Sequence, residues 1–167
     1  MREPKEKGLK ARSMEATMPQ SLSLVMVHIV FSTKDRFPCL DPSMRPNLHA
    51  YLAVVARNSK CESYRVGGTA DHVHLAVRLS RTATIAGLVE ELKTSSSKWL
   101  KMQRPELRHF AWQRGYGAFS VGVNEVEALA AYIENQEEHH RLKTFQEEYL
   151  AMLKEYGVQH DERYIWD

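Results

Sequence analysis

Hydrophobic and polar positions along the chain switch between two periods, and the switches mark the elements. Residues 22–33 are rich in Val, Ile and Leu with weak alternation, which predicts a central strand. Three prolines make 34–46 a loop. From Arg45 to Asn58 the apolar residues Leu48, Leu52 and Val55 recur at helical spacing, and Pro46 suits a first helical turn. Residues 61–68 and 71–80 read as two strands joined through "GGTAD", a hairpin. Thr84 is placed to cap a helix over 85–103 with Ile85, Leu88, Val89 and Leu92 facing inward. A glycine-flanked strand follows at 117–123. A third helix, "EVEALAAYIENQEEHH", has Asn124 as its cap and Glu127 in capping-box position, and a last helix over about 144–156 starts at Thr144 with Glu147 and stops at Gly157.

The order β-α-β-β-α-β followed by helices predicts an α+β fold. It is the ferredoxin-like or RRM-like plan, an antiparallel sheet with two helices on one face and additional C-terminal helices. On this plan the other sheet face is left open for work or for another subunit. The chain of 167 residues divides into a charged N-terminal tail over 1–20, without an apolar signal core, and a single domain over 21–167.

Composition narrows function only slightly. A net charge of +2 permits a basic groove without arguing for one, so nucleic-acid contact has to come from local clustering. Cys39 and Cys61 lack metal-type spacing and point to a reducing compartment rather than a disulfide framework. The longest apolar run is about ten residues, too short to span a bilayer as a helix. No GxxxxGK[ST] phosphate loop is present.

The chemistry begins with "DHVHLAV". In a strand, side chains at i and i+2 project to the same side with Cα atoms about 7 Å apart, so His72 and His74 can converge on one metal ion while Val73 points to the core. By itself HxH is short and arises often by chance. Asp71 either orients an imidazole or is a turn residue, and on a strand it faces away from His72. The remaining histidines carry no assigned role. On the third helix, Tyr132 and Gln136 are i and i+4 neighbours beside the apolar stripe of Val126, Leu129, Ala130 and Ile133, where a residue is held rigidly and still meets a substrate. A tyrosine can be a covalent nucleophile, and an amide oxygen can complete a metal shell; taken alone, the pair reads equally as the rim of a core.

Together, "DHVHLAV", "FAWQRGYGAFSVG" and "YIENQ", in this order and spacing, resemble the IS200/IS605-type transposases, the single-tyrosine members of the HUH endonucleases. The resemblance covers about 22–167. It implies that His72, His74 and Gln136 hold a divalent ion, Mg²⁺ or Mn²⁺, and that Tyr132 is the nucleophile. It implies single-stranded DNA with hairpins at element ends as substrate, cleaved and rejoined through a 5′-phosphotyrosine link. It also implies a homodimer in which the tyrosine helix of one subunit can complete the other's site, with Gly115, Gly117 and Gly122 as hinges. Some family members carry an acidic residue a few positions before the histidine pair; Thr69 and Ala70 stand there, leaving an extra carboxylate ligand in doubt.

Lys34 and Arg36 at a sheet end, Lys98 beside Trp99, and Arg114 near Trp112 are the DNA-contact candidates, because cations interleaved with aromatics suit phosphates and unpaired bases. Acidic runs at 137–140 and 146–149 argue that the last two helices are not the main DNA surface. The alternative to a strand-transfer enzyme is a domesticated or inactive hairpin-binding module of the same fold. A two-histidine phosphoesterase would need a second HxS/T motif, for which the chain offers no convincing partner.

Overall fold

The computed structural model describes residues 21–166; the N-terminal tail lies outside the described residues. Four strands, β1 (Met26–Ser32), β2 (Glu62–Gly68), β3 (His72–Arg78) and β4 (Gly117–Val121), form one antiparallel sheet in the order β2-β3-β1-β4. The helices are α1 (Arg45–Asn58), α2 (Ile85–Gln103), α3 (Val126–Glu134), α4 (Gln136–His139) and α5 (Phe145–Glu155). This is the α+β plan that the periodicity predicts.

Strand alternation sorts the central strands into two faces. Ile29 and Phe31 of β1 and Val73, Leu75 and Val77 of β3 enter one apolar core with Leu48, Leu52 and Val55 of α1 and Leu88, Val89 and Leu92 of α2. Each such aliphatic or aromatic side chain contributes about 1.5–3 kcal/mol on burial. Trp112 closes this core edge-on against Phe31, and its indole N–H donates to Ser96 Oγ at 2.9 Å. The helix starts follow their caps: Thr84 Oγ1 accepts from Gly87 N, and Thr144 with Glu147 forms the full capping box of α5.

Three expectations fail for physical reasons. The second sheet face is covered, not open. α3 lies on β2 and β3, while Phe145, Tyr149 and Leu153 of α5 pack on Val30 and Phe119 of β1 and β4. Two glycines allow this close approach: a Cβ on Gly67 would lie 2.4 Å from the Ile133 carbonyl oxygen, and one on Gly117 would lie 2.7 Å from the Tyr149 ring. Gly117 is therefore a packing position. The third helix does not begin at an Asn124 cap. A 3₁₀ turn over Val123–Glu125 precedes it, and Gly122 N–H donates to Glu125 Oε2 at 2.9 Å. Nor does it run unbroken to His140: Asn135 (φ −93°, ψ 20°) ends α3 and starts the short α4. Among the described residues no helix is long and apolar enough to cross a membrane.

Candidate metal and nucleophile site

The covered face of the sheet carries the candidate site residues. His28 on β1 and His72 and His74 on β3 point away from the apolar core, and α4 and α5 bring Gln136, His140 and Glu148 onto them. His72 and His74 are fully buried, Gln136 is 1 % exposed and Glu148 2 %. One ligand atom each from His72, His74, His140 and Glu148 lies within 4.8 Å of the others. Gln136 sits among them, its Oε1 3.1 Å from His72 Nε2 and 3.0 Å from His140 Nε2.

The hydrogen bonds around the cluster fix which atoms face inward. His72 Nδ1–H donates to Asp71 Oδ1 at 2.7 Å, and His140 Nδ1–H donates to the Lys143 carbonyl at 2.8 Å. Gln136 Nε2 donates to Glu148 Oε1 at 3.2 Å. These assignments follow from the partners. They leave His72 Nε2, His140 Nε2 and Gln136 Oε1 turned toward one another as acceptors, with the Glu148 carboxyl, its Oε2 2.9 Å from His140 Nε2, the nearest group able to hold a proton among them. His74 Nε2 and Glu148 Oε2, 3.6 Å apart, make no hydrogen bond. Buried lone pairs left this way cost about 1–3 kcal/mol each, and a cation satisfies all of them at once. Imidazole, amide and carboxylate donors together suit a divalent ion, with Mn²⁺ favoured over Mg²⁺ by the nitrogen ligands. The donor set therefore fits the metal that the resemblance implies, and extends it by His140 and Glu148.

Electrostatics agree. Burial pushes His28 down to about 4; burial and the neighbouring His72 do the same for His140; and burial among other imidazoles holds His74 well below its usual value. These rings are neutral near pH 7, as ligands must be. Burial, with a contribution from Asp71, pushes the Glu148 carboxyl up to about 8. Burial also acts to raise Asp71, yet the hydrogen bond and charge of His72 hold it below the usual carboxylate range.

Tyr132 stands beside this cluster. Its ring lies edge-on to His74 with centroids 5.9 Å apart, to His28 at 6.3 Å and to His139 at 5.2 Å. α3 carries it down onto β2 and β3 of its own chain.

Asp71 takes the first of its two expected roles, orienting an imidazole, but not the strand position expected for it. It precedes β3 rather than lying within it, so it is free to turn back and bond His72. Thr69 Oγ1 supports it with a hydrogen bond of 3.0 Å. Sequence reasoning missed three residues: His28, whose Nε2 lies 2.8 Å from His74 Nδ1, together with His140 and Glu148. The only local signal for His28 was its even spacing from Val30 and Ser32 on a strand; Glu148 sits inside an acidic run that reads as a solvated face.

The DNA-contact candidates separate. Lys34 and Arg114 line one cleft of about 460 Å³ with Asp35 and Gln113. Arg36 lies over the Trp166 ring at 5.1 Å. Lys98 is exposed on α2 and is not among the residues lining that cleft. Trp112 is committed to the core. Lys93 ties down the loop that carries Arg114, its Nζ donating to the carbonyls of Gln113, Arg114 and Gly115 at 2.9, 3.2 and 2.6 Å.

Comparison with known proteins agrees with this fold. One similar structure is a Deinococcus radiodurans R1 protein assigned as a transposase, with a TM-score of 0.57 and 22% identity over 72% of this chain and 96% of that one. Another is a REP-associated tyrosine transposase bound to a REP hairpin, with a TM-score of 0.55 and 12% identity over 76% of this chain and 74% of that one. The fold is thus one that transposases use. The sequence model of the transposase family described as "Transposase IS200 like" matches residues 21–136, more than half of the chain, and the chain belongs to that family. No curated protein matches it.

Proposed function

We propose that this IS200-like transposase cuts and rejoins single-stranded DNA at a divalent-metal site, with Tyr132 as nucleophile. The observation that carries the reading is the placement of the Tyr132 ring 5.9 Å from His74, beside a buried cluster of inward-facing lone pairs. His72, His74 and Gln136 would hold the cation, joined by His140 and Glu148. When bound, the cation supplies Lewis-acid polarisation of the scissile phosphate.

The chain's own residues do the rest. Asp71 fixes the ring of His72 and His28 that of His74, so each presents Nε2 inward. Glu148, which burial pushes up to about 8, would ligate as the carboxylate, its proton passing to solvent. Tyr132 Oη attacks phosphorus: the P–O3′ bond breaks as the P–Oη bond forms, and the phenolic proton ends on the departing 3′-oxygen. The reverse reaction, with the 3′-hydroxyl of another strand, restores a phosphodiester and frees Tyr132. One ester is exchanged for another, so no nucleotide hydrolysis is required. The hairpin held by the REP-associated neighbour supports hairpin-bearing DNA as the substrate class. Lys34, Arg36 and Arg114 are the phosphate contacts in this reading, with Lys98 a more distant one. Packing of α3 on its own sheet supports action within one chain; exchange of this helix in a homodimer would require α3 to leave Gly67.

The test is incubation of the protein with Mn²⁺ and hairpin-bearing single-stranded DNA, followed by a denaturing gel. Wild type forms a covalent adduct. Tyr132→Phe loses it by a factor on the order of 10⁴ or more, as for removal of other covalent nucleophiles, while still binding DNA. An adduct that persists in Tyr132→Phe contradicts the assignment, and absence of adduct in wild type favours a hairpin-binding module.

A further inference from the structure

A cavity of about 550 Å³ opens beside the histidine cluster, and Tyr132 is not in its wall. Its walls include Asp71 and His140, the cluster's outward members, together with Thr69, Arg45, Arg141 and Phe145. Tyr132, His28 and His74 are not among its lining residues. The two sides of the site are therefore distinct. The phenol contacts the rings of His28, His74 and His139, whereas the cavity wall holds Asp71, which is hydrogen-bonded to His72, and His140, whose ring stands 4.5 Å from that of His72.

Phosphoryl transfer sets the attacking and leaving oxygens roughly in line through phosphorus. With the nucleophile fixed on one side of the cluster, the leaving oxygen points to the other. Resting on the proposed function, we propose that this cavity seats the nucleoside that departs with the 3′-hydroxyl, and, in the rejoining step, the 3′-terminal nucleoside of the incoming strand.

Size and chemistry agree with a nucleoside rather than with a run of phosphates. The volume falls within the roughly 300–1,000 Å³ of sites for small molecules. The charges are mixed: Arg45 pairs with Glu137 at 2.5 Å and Arg141 with Glu138 at 2.9 Å, so the wall offers no uncompensated cationic track. Donors and acceptors are spread around the rim on Thr69, Asp71, Arg141 and Gln146, as a base edge and a sugar hydroxyl require, while Pro38, Pro42 and Phe145 supply apolar surface. The first turn of α5 also faces the cavity, with Thr144, Phe145 and Gln146 in its lining.

The experiment compares two substrates in Mn²⁺ that differ only in the leaving group. One is a single-stranded oligonucleotide cut internally, whose leaving group is a nucleoside 3′-hydroxyl. The other is its downstream half with a 5′-(p-nitrophenyl) phosphate ester, whose leaving group is p-nitrophenolate. Gln146→Trp fills the cavity from the rim. Arg141→Glu, at an exposed position on the same wall, tests it should the tryptophan disturb folding. Both variants are expected to slow internal cleavage, and joining by an added 3′-hydroxyl oligonucleotide, by roughly tenfold or more, while adduct formation from the nitrophenyl ester stays within about twofold of wild type. Equal loss on both substrates, or loss on neither, overturns the assignment of the cavity. A wild-type protein that forms no adduct from either substrate overturns the proposed function and this inference with it.

Discussion

The two faces of the sheet both bury side chains of β3 and differ in what they bury. Leu75 and His74 are neighbours on β3, each fully buried, pointing in opposite directions. Leu75 enters the buried apolar cluster of β1, β3, α1 and α2. His74 enters a cluster in which its own Nε2, Glu148 Oε2 and His139 Nε2 make no hydrogen bond. The first face is what folding alone selects. The second holds buried polar groups that cost stability when unpaired and would become favourable if, as proposed, a cation joins them. The pleat of a single strand thus separates the apolar core from the proposed site.

The largest stability effect expected is on the apolar side. Leu75→Ala should lower the unfolding free energy by about 2–5 kcal/mol, with or without Mn²⁺, in a denaturant titration. His74→Ala should act oppositely in character. Its main cost should appear only when metal is present, as loss of the metal-linked gain of about 2.7 kcal/mol that binding gives at a hundredfold excess over Kd. Equal costs for His74→Ala in both conditions would erase the distinction between the faces.

The pH dependence sharpens the same contrast. Burial holds the Glu148 carboxyl at about 8 in the fold against an ordinary value of 4.5. Between those values the native metal-free protein keeps a proton that the unfolded chain has lost. The Glu148 contribution to stability is therefore full below pH 4.5 and is lost as pH rises through 8. Glu148→Gln should flatten this slope, and so should saturating Mn²⁺, whose binding below pH 8 should release a proton measurable by calorimetry in buffers of different ionisation enthalpy. A smaller effect is expected at Asp71. Asp71→Asn keeps the contact to His72 but weakens its orientation and basicity, and should reduce Mn²⁺ affinity about 10–100-fold with little change in metal-free stability.

The apolar face was legible in the sequence because its signals are local. Leu48, Leu52 and Val55, or Leu88, Val89 and Leu92, announce a helix and its buried stripe within two turns. The histidine pair was legible for the same reason, since a period of two puts His72 and His74 on one side of β3. The rest of the polar face is assembled over long separations. Glu148 meets Gln136 across twelve residues and His74 across seventy-four, and nothing in "QEEY" distinguishes a buried carboxylate from its solvated neighbours. The break at Asn135 had no proline or glycine to announce it. Coverage of the second face depends on Gly67 and Gly117 meeting Ile133 and Tyr149, which no periodicity encodes.

The central claim is that the phenol of Tyr132 serves the polar face. Its most direct test is proteolytic mapping of the protein after reaction with single-stranded DNA and Mn²⁺, with the DNA-linked peptide sequenced by mass spectrometry. The account predicts one modified peptide, containing Tyr132 joined to a 5′-phosphate, and no such peptide when His72 and His74 are both replaced by alanine. A phosphodiester link at another residue, Tyr116 for example, or an unchanged yield without the two histidines, would contradict it.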